Sequence, residues 1–299
     1  MGKPGMGKPG MVGLFWEAAR PKTLGAGVVC VLVGTAAAGS FIAWRFVAAM
    51  AASVAVQVAV NYANDYFDAV KGVDTVHRTG PRRVTSAGLV TPGQMRLATG
   101  VALGVASVPG LALAAALGPQ VIVVGLFCFA AALGYSGGPK PFASLGLGEV
   151  FVFVFFGIVG TVGAAYIQTG HLTALAFAVA VPVGALASAL LLANNIRDID
   201  TDADAGKRTM AVRIGREPAR AVFGGLVAVA FAGTAAIALG FRRAGPLIAL
   251  VALPLALVPL RLVRSRSDGP GLIKALVGTA RLQLVFGVLL SLGLWWSWT

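Results

Sequence analysis

Eleven Asp and Glu occur in the 299-residue chain, and seven of them fall in two short windows. The first reads Asn61-Tyr62-Ala63-Asn64-Asp65-Tyr66-Phe67-Asp68, with Asp74 shortly after. The second runs from Asn194-Asn195-Ile196-Arg197-Asp198 through Asp200, Asp202 and Asp204 to Gly206-Lys207-Arg208-Thr209. At roughly 100° per residue, Asn61, Asn64, Asp65 and Asp68 share one helical face, and so do Asn195, Asp198 and Asp202. Asp200 and Asp204 point to the opposite side, so Asp198 and Asp202 rank above them as ligands. That ranking requires the helix to persist to Asp202, with Gly206 as its stop signal. Like charges at such spacing repel by a few tenths of a kcal/mol per pair, and partial desolvation raises the cost. A cation relieves both. Carboxylates and amides without a Cys or His cluster are hard oxygen donors, suited to Mg²⁺ or Ca²⁺ rather than zinc. There is no EF-hand pattern. Mg²⁺ is commonly held by one or two carboxylates plus substrate phosphates, so two such windows facing one cavity read as a diphosphate site. The plainer alternative is a pair of solvated loops whose acids meet neighbouring Arg and Lys; two matched windows favour the metal.

A diphosphate leaving group needs cations beyond the metal. Arg78, Arg82 and Arg83 follow the first window, Arg197, Lys207 and Arg208 interleave with the second, and Lys140 stands in Tyr135-Ser136-Gly137-Gly138-Pro139-Lys140-Pro141. Taken singly, most of these also serve as topology signals or lipid-headgroup contacts; Lys140, alone in a Gly/Pro loop, and Arg197, inside the acidic motif, lean towards function. Glu149 is a carboxylate within an apolar run, and intramembrane acids are functional suspects. Tyr62, Tyr66, Tyr135 and Tyr166 are candidates for a pocket wall or an interfacial belt. No phosphate-binding Gly-rich loop, dinucleotide fingerprint or CxxC is present.

The elements that must position these residues are membrane helices. Hydrophobic residues make up 58% of the chain and charged residues 12%, about half the usual charged share. So little charge cannot cover a soluble surface. Runs near the ~20 residues needed to span a bilayer lie at roughly 24–42, 46–64, 97–117, 119–135, 147–167, 172–193, 219–239, 244–263 and 278–298. Nine helices follow, the fourth being the shortest. Strand-like alternation is absent, which disfavours a β-barrel. The net charge of +13 would suggest nucleic acid in a soluble protein, but its placement is topological. Of 24 Lys and Arg, all but Arg45, Arg242 and Arg243 fall at the N-terminus or beside the even-to-odd connections. By the positive-inside rule those segments are cytoplasmic and the C-terminus is outside. His77 and His171 then lie on opposite faces and cannot share a metal. Cys30 and Cys128 sit in apolar runs, so a disulfide framework is not expected. Residues 1–22, opening with the tandem repeat MGKPG-MGKPG, read as a disordered segment and interfacial entry, and 23–299 as a single transmembrane domain.

The spacing Asn64-Asp65-x-x-Asp68 after the second run, with Asn195-x-x-Asp198-x-x-x-Asp202 after the sixth, resembles the paired aspartate motifs of the UbiA superfamily of intramembrane prenyltransferases. Within it, Asn61-Tyr-Ala-Asn-Asp-Tyr, Arg78-Thr-Gly-Pro-Arg-Arg, Tyr135-Ser-Gly-Gly-Pro-Lys-Pro, Gly146-Leu-Gly-Glu149 and Asn194-Asn-Ile-Arg-Asp-Ile-Asp-Thr-Asp are most similar to the 1,4-dihydroxy-2-naphthoate branch of menaquinone synthesis. Two positions depart from the superfamily pattern. Gly72 stands where a third aspartate is expected, and Asn195 replaces the opening acid of the second motif. The resemblance implies an all-α fold with nine helices around a central cavity. It implies Mg²⁺, two ions held by Asp65, Asp68, Asp198 and Asp202 with Asn195, that clamp a polyprenyl diphosphate. It further implies an acceptor, 1,4-dihydroxy-2-naphthoate, that is prenylated with loss of carbon dioxide to give demethylmenaquinone. Asn61, Asn64, Asn195, Arg78, Arg82, Arg83, Tyr135, Glu149 and Lys207 become substrate contacts, and Lys140 or Arg197 holds pyrophosphate or the naphthoate carboxylate. A hydroxybenzoate or chlorophyll-type prenyltransferase is the nearest rival. A transporter would place its polar groups near the bilayer midplane rather than at one face.

Overall fold

The computed structural model describes residues 10–72 and 82–298, and every regular element among them is helical. Seven passes are long and apolar enough to cross a membrane: Ala43–Lys71 (α3), Pro92–Leu117 (α4), Gly148–Thr169, Ala174–Arg197 (α8), Arg216–Gly240 (α11), Gly245–Ser265 and Gly269–Trp296 (α13). The first and fourth expected spans are shorter apolar helices, Gly25–Ala37 (α2) and Gln120–Ser136 (α5). All nine apolar runs are therefore helical among the described residues, but seven rather than nine helices are long and apolar enough to span a membrane. Arg78, Asp74 and His77 lie outside the described residues.

Within the segment expected to be irregular entry, Met11–Ala19 forms a helix (α1). Its Leu14 and Ala18 bury against Val84, Val90 and Met95, with Tyr62 and Tyr66 packed alongside. Tyr62 donates from its hydroxyl to the Phe15 carbonyl at 3.1 Å, and exposed Arg82 pairs with Glu17 at 2.9 Å. These two contacts fasten α1 over the C-terminal half of α3.

Local signals set the helix ends. Thr91 and Gln94 form a capping box ahead of α4, with Pro92 in its first turn, which satisfies backbone donors that a helix start leaves open. Gly72 ends α3 in the left-handed region at φ 63°. Asp268 caps α13 by accepting from the Gly271 amide at 2.9 Å.

α8 is the central post. Its membrane window is 78% buried, far above the other passes, and its small residues let neighbours approach. The pass opposite it is α-helical at Gly148–Val152 (α6), π-helical at Phe153–Val162 and α-helical again at Gly163–Thr169 (α7). A Cβ on Gly157 would lie 2.8 Å from the Ala180 carbonyl oxygen and 2.9 Å from the Gly184 Cα. Only glycine fits such a backbone-to-backbone crossing. At the end of the bundle away from the acidic windows, Arg45 donates to the Ile167 carbonyl at 3.1 Å. There too Trp298 donates from its indole to the Ala36 carbonyl at 3.0 Å, while Arg243 stacks 3.7 Å over the Trp298 ring.

Candidate active site

The acidic windows sit on the last turns of α3 and at the end of α8. α3 continues two turns past the apolar run, so Asn61, Asn64, Asp65 and Asp68 lie inside one helix, as expected from their spacing. Asn61, Asp65 and Asp68 are buried and Asn64 is half-buried, as the shared face requires. The second window differs from the expected continuous helix. α8 ends at Arg197, Asp198 is a break at φ −95°, ψ 10°, and a short helix (α9) resumes over Ile199–Asp204. The cause is a local clamp. The buried Arg197 guanidinium donates to both Asp198 carboxylate oxygens at 2.7 and 2.6 Å and to Asn194 Oδ1 at 2.9 Å. The Asp202 amide still reaches the Asp198 carbonyl at 2.7 Å, so Asp198 and Asp202 keep their one-turn relation. Asp200 faces away, pairing with Arg216 at 2.8 Å, and Asp204 is exposed.

The two windows meet. Asp68 accepts from Arg83 at 2.5 Å on one oxygen and from Lys207 at 3.3 Å on the other. Arg83 follows the first window and Lys207 follows the second, so a single carboxylate ties both loops together. Asp65 is engaged differently: its two oxygens accept the backbone amides of Val84 and Thr85 at 3.2 and 2.9 Å. It therefore shapes the loop that delivers Arg83. Asn64 accepts from Ser136 at 2.5 Å, and Lys71 donates to the Ser136 and Gly138 carbonyls at 2.8 and 3.1 Å, joining α3 to the Gly-Gly-Pro loop. Across the mouth, Asn195 donates to Glu149 at 2.8 Å, and Ser188 donates to the Glu149 carbonyl at 2.8 Å.

The buried polar atoms near this mouth with no hydrogen-bond partner among the described residues include Glu149 Oε2 and Arg197 Nη1. Buried groups of this kind are nearly always satisfied, and a guanidinium N–H beside an acidic cluster suits an anionic ligand.

Below the mouth lies a cavity of about 510 Å³. Arg20, Thr23, Asn61, Asn64, Tyr135 and Asn194 line its polar end, and Val56, Val60, Leu113, Phe129, Phe155 and Phe156 are among its apolar walls. Tyr135 is within electrostatic reach of Glu149, Asp68 and Asp202. Of the four tyrosines only this one lines the cavity; Tyr166 is bonded to Gln120 at 2.6 Å. Lys140 is exposed and does not line the cavity. Arg20, which lines the cavity, and Lys71, which holds the Gly-Gly-Pro loop, enter the sequence reading only through the charge partition. Arg20 has positive φ, 52°, at the turn leaving α1, a feature invisible in residue type; Lys71 carried a usable signal, lying one helical turn beyond Asp68.

The donor set fits Mg²⁺. Each window offers two carboxylates with neighbouring amide oxygens, all hard donors. No group of three or more His, Cys, Asp or Glu converges on one point among the described residues. Asp68 and Asp198 already take cationic partners on both oxygens, so the cluster is neutralised by positive charge as its repulsion demands.

The UbiA prenyltransferase family matches residues 27–276. A 1,4-dihydroxy-2-naphthoate octaprenyltransferase of Mycobacterium leprae is 40% identical over 273 residues, covering 90% of this chain and 92% of that protein. Its namesake in Escherichia coli is 32% identical over 295 residues, covering 94% of each. Among solved structures, the apo form of a UbiA homolog from Aeropyrum pernix K1 superposes with a TM-score of 0.69 at 17% identity, covering 90% of this chain and 97% of that one. A UbiA homolog from Archaeoglobus fulgidus bound to GPP and Mg²⁺ gives 0.62 at 16% identity, covering 93% and 99%. At these identities the solved structures establish the fold.

Proposed function

The chain belongs to the UbiA prenyltransferase family, and on that premise we propose that it transfers a polyprenyl group from polyprenyl diphosphate to 1,4-dihydroxy-2-naphthoate with decarboxylation. The observation that carries the reading is the Asp68 junction, where Arg83 and Lys207 from the two windows converge above an apolar cavity. A diphosphate needs that concentration of carboxylates and cations, and a prenyl tail needs that wall. The name shared by relatives at 40% and 32% identity supports the acceptor.

Asp65, Asp68, Asn195, Asp198 and Asp202 would hold two Mg²⁺ ions, one per window. Bound Mg²⁺ withdraws charge from the diphosphate and makes it a better leaving group. Arg83 and Lys207, which meet at Asp68, would donate to phosphate oxygens and stabilise the charge that develops as the allylic carbon–oxygen bond breaks. Valine, leucine and phenylalanine walls keep water from the allylic cation. The carboxylate-bearing ring carbon forms the new carbon–carbon bond. Loss of carbon dioxide returns its electron pair to the ring, so the product is the quinol form of demethylmenaquinone. Arg197, through its unpartnered Nη1, binds the acceptor carboxylate, a role the exposed Lys140 is less well placed to fill. The concentration of basic residues at the windows' end of the bundle supports a topology with that end and the N-terminus in the cytoplasm and the C-terminus outside.

Purified protein with labelled prenyl diphosphate, Mg²⁺ and a panel of aromatic acceptors tests the reading. Prenylation of the naphthoate and not of 4-hydroxybenzoate is expected. The reverse preference would keep the family and reject the branch.

A further inference from the structure

The polar face of α3 continues below the acidic window. Ser53, Gln57, Asn61 and Asn64 follow one another at helical spacing and all line the cavity. Three of them are engaged by the protein: Ser53 donates to the Gly27 carbonyl at 2.8 Å, Asn61 donates to the Ala19 carbonyl at 2.8 Å, and Asn64 accepts from Ser136. Gln57 differs. Its Oε1 is buried without a hydrogen-bond partner among the described residues, and Val56, Val60, Val121 and Phe155 line the same space.

A buried, unpaired amide oxygen on a residue that lines a ligand cavity is a place for a ligand donor. Helical rise puts Gln57 roughly 6 Å below Asn61 and roughly 12 Å below Asp65. That is too deep for a diphosphate held at the aspartates, which in any case has no proton to donate at neutral pH. The prenyl tail is hydrocarbon and would leave the oxygen unsatisfied. Among the groups the proposed reaction brings, only the ring hydroxyls of the acceptor can donate to it. With the acceptor carboxylate directed to the basic mouth, the hydroxyl remote from it, at ring position 4, points inward along α3.

We propose that Gln57 Oε1 accepts a hydrogen bond from the 4-hydroxyl of the aromatic acceptor and makes Gln57 a specificity-determining residue. This rests on the acceptor reading given above. A site built to pair a hydroxyl discriminates against the analogue that lacks it, because its own polar atom is then left unpaired.

The test compares wild type, Gln57→Met and Gln57→Asn with 1,4-dihydroxy-2-naphthoate and 1-hydroxy-2-naphthoate at saturating prenyl diphosphate. Taking the ratio of the two acceptors within each protein cancels their intrinsic difference in nucleophilicity. Gln57→Met should raise KM for the dihydroxy acceptor and shrink the kcat/KM ratio between acceptors by about 10-fold or more, with KM for prenyl diphosphate unchanged. Gln57→Asn, with its amide withdrawn by one methylene, should shrink the ratio similarly and serves as the comparison if the Met variant no longer binds prenyl diphosphate. An unchanged ratio means that water satisfies Gln57, and the proposal falls. A drop in kcat shared by both acceptors, or a raised KM for prenyl diphosphate, assigns Gln57 to the prenyl group and also overturns it. If wild type does not prenylate dihydroxynaphthoate, the functional reading fails and takes this one with it; wild-type turnover with an unaltered variant ratio defeats this one alone.

Discussion

Asp65 and Asp68 are one helical turn apart and do different work. Asp68 takes its cations from side chains that a metal and a diphosphate can displace or recruit, whereas Asp65 spends both oxygens on the Val84 and Thr85 amides. Asp68→Ala, Asp198→Ala and Asp202→Ala should each lower turnover by at least ~10²-fold, the usual cost of disturbing a metal's ligands or their orientation; Asp68→Ala and Asp198→Ala should also lower the thermal midpoint, because each leaves a buried guanidinium, Arg83 or Arg197, without its carboxylate. Asp65→Ala should lose as much activity and lower the midpoint as well, because two buried amides lose their acceptor. Asp204→Ala should be mild. Parallel activity and melting measurements check all five variants; full activity in Asp68→Ala would defeat the metal assignment. The identity of these carboxylates was legible in the sequence because spacing on a helix fixes a face. Their partners were not. Nothing in residue type shows that Asp198 is clamped by its own neighbour Arg197, or that Gln57 alone among the polar residues on its face lacks a bond.

At the scale of elements, apolar length located all seven full-length spans, but it could not tell a full span from the 13-residue α2 or foresee the π segment at Phe153–Val162. Those depend on how helices fit one another. Gly157 and Gly184 meet backbone to backbone, so Gly157→Val should destabilise the fold by about 1–3 kcal/mol through overpacking. Gly163→Ala, with open space around it, should be near neutral; thermal unfolding in detergent separates the two. The start of α13 is sensitive to pH in a defined direction. Arg266, donating at 2.6 Å, and then the Gly271 amide hold the Asp268 carboxyl down to about 2. A carboxyl depressed in the folded state contributes stability that is complete above its ordinary value near 3.8 and is lost as pH falls through the depressed one. Asp268→Ala should therefore lower the melting midpoint by a constant amount from pH 8 to 5, with the gap to wild type closing between about pH 4 and pH 2. A gap that persists at pH 2 would mean that the cap acts without its charge.

Over the whole molecule, charge, cavity and hydrophobic length agree on one arrangement: polar chemistry at one end of a helical bundle and a lipid-compatible interior beneath it. All 24 Lys and Arg except Arg45, Arg242 and Arg243 belong to the segments assigned to the cytoplasm. Cysteines introduced at Ala87 and His171, in a background without Cys30 and Cys128, should accordingly label from opposite sides of the membrane. Labelling from one side would overturn the topology. The family resemblance was readable from the paired windows, while the junction that unites them, Lys207 on Asp68, joins residues 139 positions apart and needed the folded chain. Decarboxylative prenyl transfer in the presence of Mg²⁺ is tested most directly by stoichiometry. With carboxyl-labelled 1,4-dihydroxy-2-naphthoate and polyprenyl diphosphate, one labelled carbon dioxide should be released per pyrophosphate formed, and EDTA should stop both. Pyrophosphate release with the label retained in the prenylated ring, or equal turnover in EDTA, would contradict it.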